Sequence, residues 1–300
     1  MLRFLLPAAL VLLPLPLLAG DPAASRLDPA LTGLLQKKTA AAWTVLVLLL
    51  SWESLAPFFP FFRGALAGRA WHAVKNFLLG TVNSLVISAC IVTVWNWSAA
   101  WTEAHRFGLF HWMPLPEWAR TVGAILLLDV WMYKWHWMNH RFRFLWRFHR
   151  VHHTDAQMDV TTASRFHLGE ITLSSALRVP LLFVSGVRLW EVILYEAILF
   201  AVVQFQHANV ALPPRLDALL RGVIVTPAMH KVHHSRWQPE TDSNYASLFS
   251  WWDRVFGTFR ARAELRELNL GLDGYDAPAR QSLMGMMATP LDKPDERDER

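Results

Sequence analysis

The stretch Asp129–Asp155, DVWMYKWHWMNHRFRFLWRFHRVHHTD, decides how this chain is read. Its first residues continue an apolar run that starts at Thr121. After Tyr133 the pattern turns polar: His136 and His140 stand four apart, and His149, His152 and His153 follow as HxxHH. On an α-helix, residues three and four apart share a face, so each block presents its imidazoles together. An apolar run that ends in such a block reads as a membrane helix leaving the bilayer into a polar cap. A second HxxHH, His230-Lys-Val-His233-His234, opens where Thr226 can cap a helix with Pro227 at its first position. At the chain's histidine frequency an HxxHH is expected on the order of 0.02 times, so two together point to a built pocket.

Composition agrees. Of 300 residues, 53% are hydrophobic and 18% charged, with 16 Trp, 18 Phe and a mean hydropathy of +0.22. A soluble domain carries about 25% charged residues, so this chain has too few to coat a water-facing globule. The single cysteine, Cys90, excludes a disulfide scaffold, an iron–sulfur centre and a thiolate zinc site. The net charge of +5 sits beside apolar runs and suits anionic headgroups, not nucleic acid.

These patterns predict an all-α integral membrane protein with about four to six membrane helices and a cytoplasmic helical cap that carries the histidines. Residues 1–20 read as a signal-like segment or a first membrane helix, and 21–40 as a linker. Residues 41–275 form the membrane domain, and 276–300 a disordered tail, most plainly from Asp292 onward. Within the domain, Ala40–Phe62 is a weak span or an interfacial helix, broken by Glu53 and Pro57. Phe77–Trp101 is the cleanest span and Thr121–Tyr133 another. Ile171–Gln206 makes a two-pass hairpin broken at Gly186-Val187-Arg188. Arg63, Arg69 and Lys75 fall on the same side as Arg141, Arg143, Arg147 and Arg150, which the positive-inside rule places in the cytoplasm of a bacterial inner membrane. Lys37 and Lys38 fall on the other side, against that orientation.

Eight imidazoles are too many for one tetrahedral zinc and suit two ions of five or six coordination. Imidazole accepts Zn, Cu, Fe or Ni, so ligand type leaves the metal open. The Glu-x-x-His pattern of ferritin-like bundles is absent from the blocks. Isolated histidines such as His72, His105 and His111 read as interfacial. A non-catalytic metal-binding membrane protein, a transporter or sensor, is the alternative. It would place its ligands near mid-span, whereas these blocks stand in polar sequence outside the spans.

The stretch Asp129–Asp155 resembles the fatty acid hydroxylase/sterol desaturase superfamily of integral-membrane di-iron oxygenases. DVTTASRFHLGE (Asp159–Glu170), FQHANV (Phe205–Val210), TPAMHKVHHS (Thr226–Ser235) and NYASLFSWWDRVFGTFR (Asn244–Arg260) extend the likeness over roughly Glu53 to Arg260. Two positions depart from the pattern: Leu168 stands where relatives have proline, and Ala246 where they have glycine. The resemblance implies two iron ions held by His136, His140, His149, His152, His153, His230, His233 and His234, with His207 as a ninth ligand. His167 is implied as a ligand or a supporting residue. Asp129, Asp155, Asp159, Glu170 and Asp242 are candidates to hold the outer imidazole N–H groups. The implied reaction is O2-dependent hydroxylation or desaturation of a membrane lipid (sterol, fatty acyl or related isoprenoid) in lipid biosynthesis. Electrons would come from a separate partner such as a ferredoxin, a cytochrome b5-like protein or a reductase.

Overall fold

A computed structural model describes residues 29–62 and 64–292, so the signal-like segment and the last eight residues lie outside the described residues. Helix α1 (Pro29–Leu55) is followed by α2 (Leu66–Cys90) and α3 (Val92–Ala104), a short α4 (Leu109–Trp112) and the long α5 (Glu117–Arg141). Then come α6 (Arg143–His153), a 3-10 turn at Val160–Ser164, and the hairpin α7 (Leu168–Ser185) and α8 (Leu189–His207). Short helices finish the chain: α9 (Pro214–Leu220), α10 (Pro227–His233), α11 (Gln238–Thr241), α12 (Trp251–Val255) and α13 (Leu283–Ala288). No strand occurs among the described residues, only two isolated bridges, Ile224 with Phe249 and Ser235 with Leu270. The protein is all-helical.

Three of these helices, α2, α7 and α8, are long and apolar enough to cross a membrane, fewer than the four to six expected. One of the candidates, the signal-like segment, lies outside the described residues; for the others the reason is physical. Helix α5 holds the expected Thr121–Tyr133 span but also Arg120, Asp129 and Lys134. It is packed by α6 and α8, with Leu128 and Asp129 fully enclosed, and a helix shielded by neighbours need not be apolar all round. The expected Phe77–Trp101 span breaks at Ile91, where the β-branched run Ile91-Val92-Thr93-Val94 begins. Its two pieces still follow α7 as one bent rod. Asn83 Nδ2 donates to Phe166 O (2.9 Å), Trp95 Nε1 to Ser175 O (2.9 Å), and the Trp97 and Phe183 rings meet at 5.4 Å.

The hairpin turns where the sequence breaks it. Gly186 ends α7 in the left-handed region (φ +69°), conformationally open only to a residue without a Cβ penalty. Gly108 (φ +108°) lies against it so closely that a Cβ there would sit 2.5 Å from the Gly186 nitrogen. Arg120 locks the contact, donating to Phe110 O (2.8 Å) and Gly186 O (2.7 Å).

At the opposite end α1 closes on the cap. Glu53, buried at its last turn, accepts from Val160 N (3.1 Å) and Asn209 N (3.0 Å) and pairs with Arg69 (2.6 Å). Lys38 is no loop charge at all: it pairs with Glu196 of α8 at 3.2 Å, partly buried, so it carries no weight against the orientation. Two boundaries differ from expectation. The linker expected at 21–40 is helical from Pro29. The tail expected at 276–300 is folded up to Asp292, because Met286 packs without exposure on Leu79 and Val151, and buried Arg150 donates to Thr289 O (2.6 Å).

Candidate metal centre

Four elements meet at the cap end of the bundle. Helix α5 brings His136 and His140, α6 brings His149, His152 and His153, the last residue of α8 is His207, and α10 with its cap residue brings His230, His233 and His234. Thr226 caps α10, accepting from Met229 N, with Pro227 in the first turn as the sequence suggested.

The nine imidazoles sort into two groups whose nitrogen atoms lie within 4.8 Å of one another. One holds His136, His140, His149, His153 and His233; the other holds His152, His207, His230 and His234. Helical phase explains the division. In each HxxHH the i,i+4 pair stays on one face while the middle histidine, about 100° away, turns to the other group. Thus His149 and His153 go one way and His152 the other, while in α10 His230 and His234 pair and His233 crosses over. The two helices exchange one histidine each. The groups abut, with the His153 and His234 rings stacked at 4.5 Å.

Six of the nine outer nitrogens face a partner, while Nδ1 of His153, His230 and His234 is buried without one. His136 Nδ1 donates to Tyr245 O (2.8 Å), His233 Nδ1 to Ser243 O (2.7 Å), His207 Nδ1 to Val203 O (2.7 Å), and His152 Nδ1 to Arg165 O (3.2 Å). His149 Nδ1 faces Glu170 Oε1 (2.8 Å), which also accepts from Asn139 Nδ2 (3.0 Å). His140 Nδ1 faces Asp242 at a longer 3.4 Å.

Those bonds fix the tautomer, because a carbonyl partner requires the proton on Nδ1 and leaves a bare lone pair on Nε2. His152 Nε2 and His207 Nε2 face each other at 3.0 Å, and neither has a proton to share. His136 Nε2, His140 Nε2 and His233 Nε2 are buried with no partner. Protonation cannot relieve this. Burial, then crowding by neighbouring imidazoles, holds His152, His153, His230 and His234 well below the ordinary histidine range, and burial pushes His233 down to about 3. Converging neutral imidazoles are the form that ligates metal, and the donor set fits two cations.

The remaining expected residues are placed as follows. Glu170 and Asp242 face box histidines, as described. Asp129 does not: its carboxylate accepts from Tyr195 OH (3.0 Å), Phe249 N (3.0 Å) and Trp252 Nε1 (2.8 Å), tying α5 to α8 and the α12 region. Asp155 and Asp159 also miss the box imidazoles and flank His72 instead, at 2.9 and 3.6 Å. That buried histidine was read as interfacial, and with its partner 83 residues away no local signal could have found it. His167 lies outside both groups. It caps α7, with Nδ1 accepting from Gly169 N (2.9 Å) and Nε2 facing Met287 O (3.3 Å). Leu168, the first residue of α7, occupies the helix position where proline is also at home, so that departure from the pattern leaves the turn intact. Ala246 is fully buried and is not among the non-glycine residues with positive φ, so glycine is not required there.

Residues 121–258, which hold all nine clustered histidines, match the fatty acid hydroxylase family. Over that segment, just under half of its length, the chain is similar to that family. Among curated proteins, it is 25% identical over 174 residues to ornithine lipid hydroxylase OlsE of Rhizobium tropici, covering 58% of this chain and 51% of that protein. It is 32% identical over 145 residues to alkylglycerol monooxygenase of Homo sapiens (47% and 31%). With methylsterol monooxygenase 1 of Rattus norvegicus it shares 27% over 157 residues (50% and 50%). The chain thus spans about half, or less, of the length of these relatives. No solved structure matches it.

Proposed function

We propose that this protein is an O2-dependent monooxygenase that hydroxylates a membrane lipid at a pair of iron ions. The observation that carries the reading is the pair of abutting imidazole groups at the end of an apolar bundle, in which Nε2 of His136 and His233 in one and of His152 and His207 in the other is buried and bare of a proton. The names of the relatives, hydroxylases and monooxygenases of ornithine lipid, alkylglycerol and methylsterol, favour iron over zinc and hydroxylation over desaturation.

His136, His140, His149, His153 and His233 would hold one iron, and His152, His207, His230 and His234 the other. When bound, the metals supply the redox capacity to split O2 and oxidise an unactivated C–H bond, which no side chain can do. The balance is RH + O2 + two electrons + two protons giving ROH + H2O, so a separate protein must deliver the electrons.

The chain's own residues do the rest. Carbonyls of Tyr245, Ser243, Arg165 and Val203, with Glu170, keep the rings aimed inward. Burial of all nine side chains keeps bulk water from the reaction. A wholly apolar cleft of about 420 Å³ opens between α1 and α8, lined by Val45, Leu48, Leu49, Trp52, Ala201, Val202 and Phe205. Its lining includes Phe205, two residues before His207, so it offers an alkyl chain an apolar berth on the flank of the helix that carries His207. Arg69, Lys75, Arg141, Arg143 and Arg147 stand at the cap end, which supports a cytoplasmic cap within reach of a soluble or peripheral electron donor.

The test is metal analysis of the purified chain together with lipid mass spectrometry of cells with and without it. Two irons per chain and a lipid gaining one oxygen are expected. Full lipid conversion by His152→Ala and His233→Ala, or purified protein devoid of iron, would refute the proposal.

A further inference from the structure

Behind α6, on the side away from the imidazoles, the chain after the family match folds back as a strap. Gln281 is its busiest residue. Its Nε2 donates to Thr154 O (2.9 Å) and Tyr275 O (2.7 Å), its carbonyl accepts from Lys75 Nζ (2.7 Å), and its Oε1 accepts from Arg165 Nη2 (2.7 Å). Arg165 is wholly buried. Besides Gln281, its side chain reaches Val151 O (3.1 Å), Thr154 Oγ1 (2.7 Å) and Asn76 Oδ1 (3.4 Å), so the end of α6 and α2 also pin it. Its backbone carbonyl is the acceptor for His152 Nδ1, at 3.2 Å the longest of the four carbonyl bonds that orient the imidazoles.

We propose that Gln281 is a positioning residue for His152, acting through Arg165. The inference rests on the reading that the four-imidazole group holds an ion. Without the Gln281 amide, Arg165 Nη2 loses one of its two acceptors and keeps only Thr154 Oγ1. Arg165 then settles differently, and the carbonyl that sets the His152 tautomer and ring angle moves with it. The five-imidazole group has its own supports, Tyr245 O, Ser243 O and Glu170, none of which touches Gln281. The effect is therefore selective for one of the two ions.

Cobalt(II) titration of the full chain in detergent, without oxygen and followed by visible absorption, tests this. Wild type should bind two ions. Gln281→Met, close in volume but lacking the amide, should bind one as wild type does and the other about 10–100-fold more weakly, the usual cost of losing a partner that orients a ligand. Gln281→Glu keeps an acceptor for Arg165 and should bind both nearly as wild type does. His152→Ala identifies the affected ion. Unchanged binding in Gln281→Met overturns the inference, and so does equal weakening at both ions, the sign of general loosening. A selective loss in Gln281→Glu as deep as in Gln281→Met also overturns it. Wild type that takes up no cobalt overturns the metal reading itself, a distinct result, and this inference falls with it.

Discussion

Glu170 offers the cleanest measure of how the centre is held. Its Oε1 accepts from His149 Nδ1 at 2.8 Å and from Asn139 Nδ2 at 3.0 Å, both buried. A hydrogen bond to a charged group contributes about 1.5–3 kcal/mol, against about 0.5–1.5 for a neutral pair. Glu170→Ala removes the charged bond to His149, so the ion held by the five-imidazole group should bind more weakly by about 1.5–3 kcal/mol. At 1.4 kcal/mol per tenfold that is roughly 10- to 150-fold. Glu170→Gln retains an oxygen acceptor for both donors and forfeits only the charge, so about 1–1.5 kcal/mol, or 5- to 12-fold, is expected. Competition between the solubilised protein and a coloured chelator for ferrous iron, without oxygen, measures both. The order wild type, then Gln, then Ala is the essential outcome. If the alanine variant holds both ions as tightly as wild type, the carboxylate does not orient His149 and the reasoning fails.

Other outcomes follow from the geometry. His152, His153, His230, His233 and His234 have folded-state values below the unfolded value of about 6.5, so the unfolded chain gains protons first as pH falls. The metal-free protein should therefore lose stability progressively from about pH 6.5 down toward 3, where His233 protonates in the folded state, as thermal scans across that range will show. Stability rising on acidification would contradict it. Gly186→Ala forces an L-residue into left-handed backbone and drives a Cβ to 2.7 Å from Phe107 O. It should destabilise by at least about 1–2 kcal/mol in chemical denaturation, and a wild-type midpoint would disprove the lock. Leu168→Pro, at the first position of α7, should leave the melting temperature unchanged or slightly raised, and a drop of several degrees would show that the Leu168 N–H has an unrecognised role.

The clustering of the histidines was legible because helical spacing is local: once two HxxHH blocks and one HxxxH are seen, the shared faces follow. The division into five and four was also latent in that spacing, since i,i+4 pairs stay together and the third ring departs, but only the packing of α6 against α10 turns the phase into partnership. The hairpin was announced by Gly186. What the sequence hid is long-range. Asp129 looks like a ligand's holder until Tyr195 and Trp252 arrive to claim it, and His72 looks idle until Asp155 and Asp159 close around it. The span count came out a little lower for a related reason: α5 is enclosed by other helices, and hydropathy reads only what lipid would see. The charged end beyond Asp292 masked the apolar residues Leu283, Met286 and Met287 just before it, which pack on the back of α6.

The exchanged histidines also set the order of events during synthesis. Neither cation site can be finished by the first box segments alone, since each needs an imidazole from residues 230–234, made after both arms of the hairpin. A nascent chain stalled before that point carries half-sites only, with no complete cage to capture a passing ion. On the proposed reading, an oxidising centre could come into being only after the apolar scaffold that isolates it has emerged.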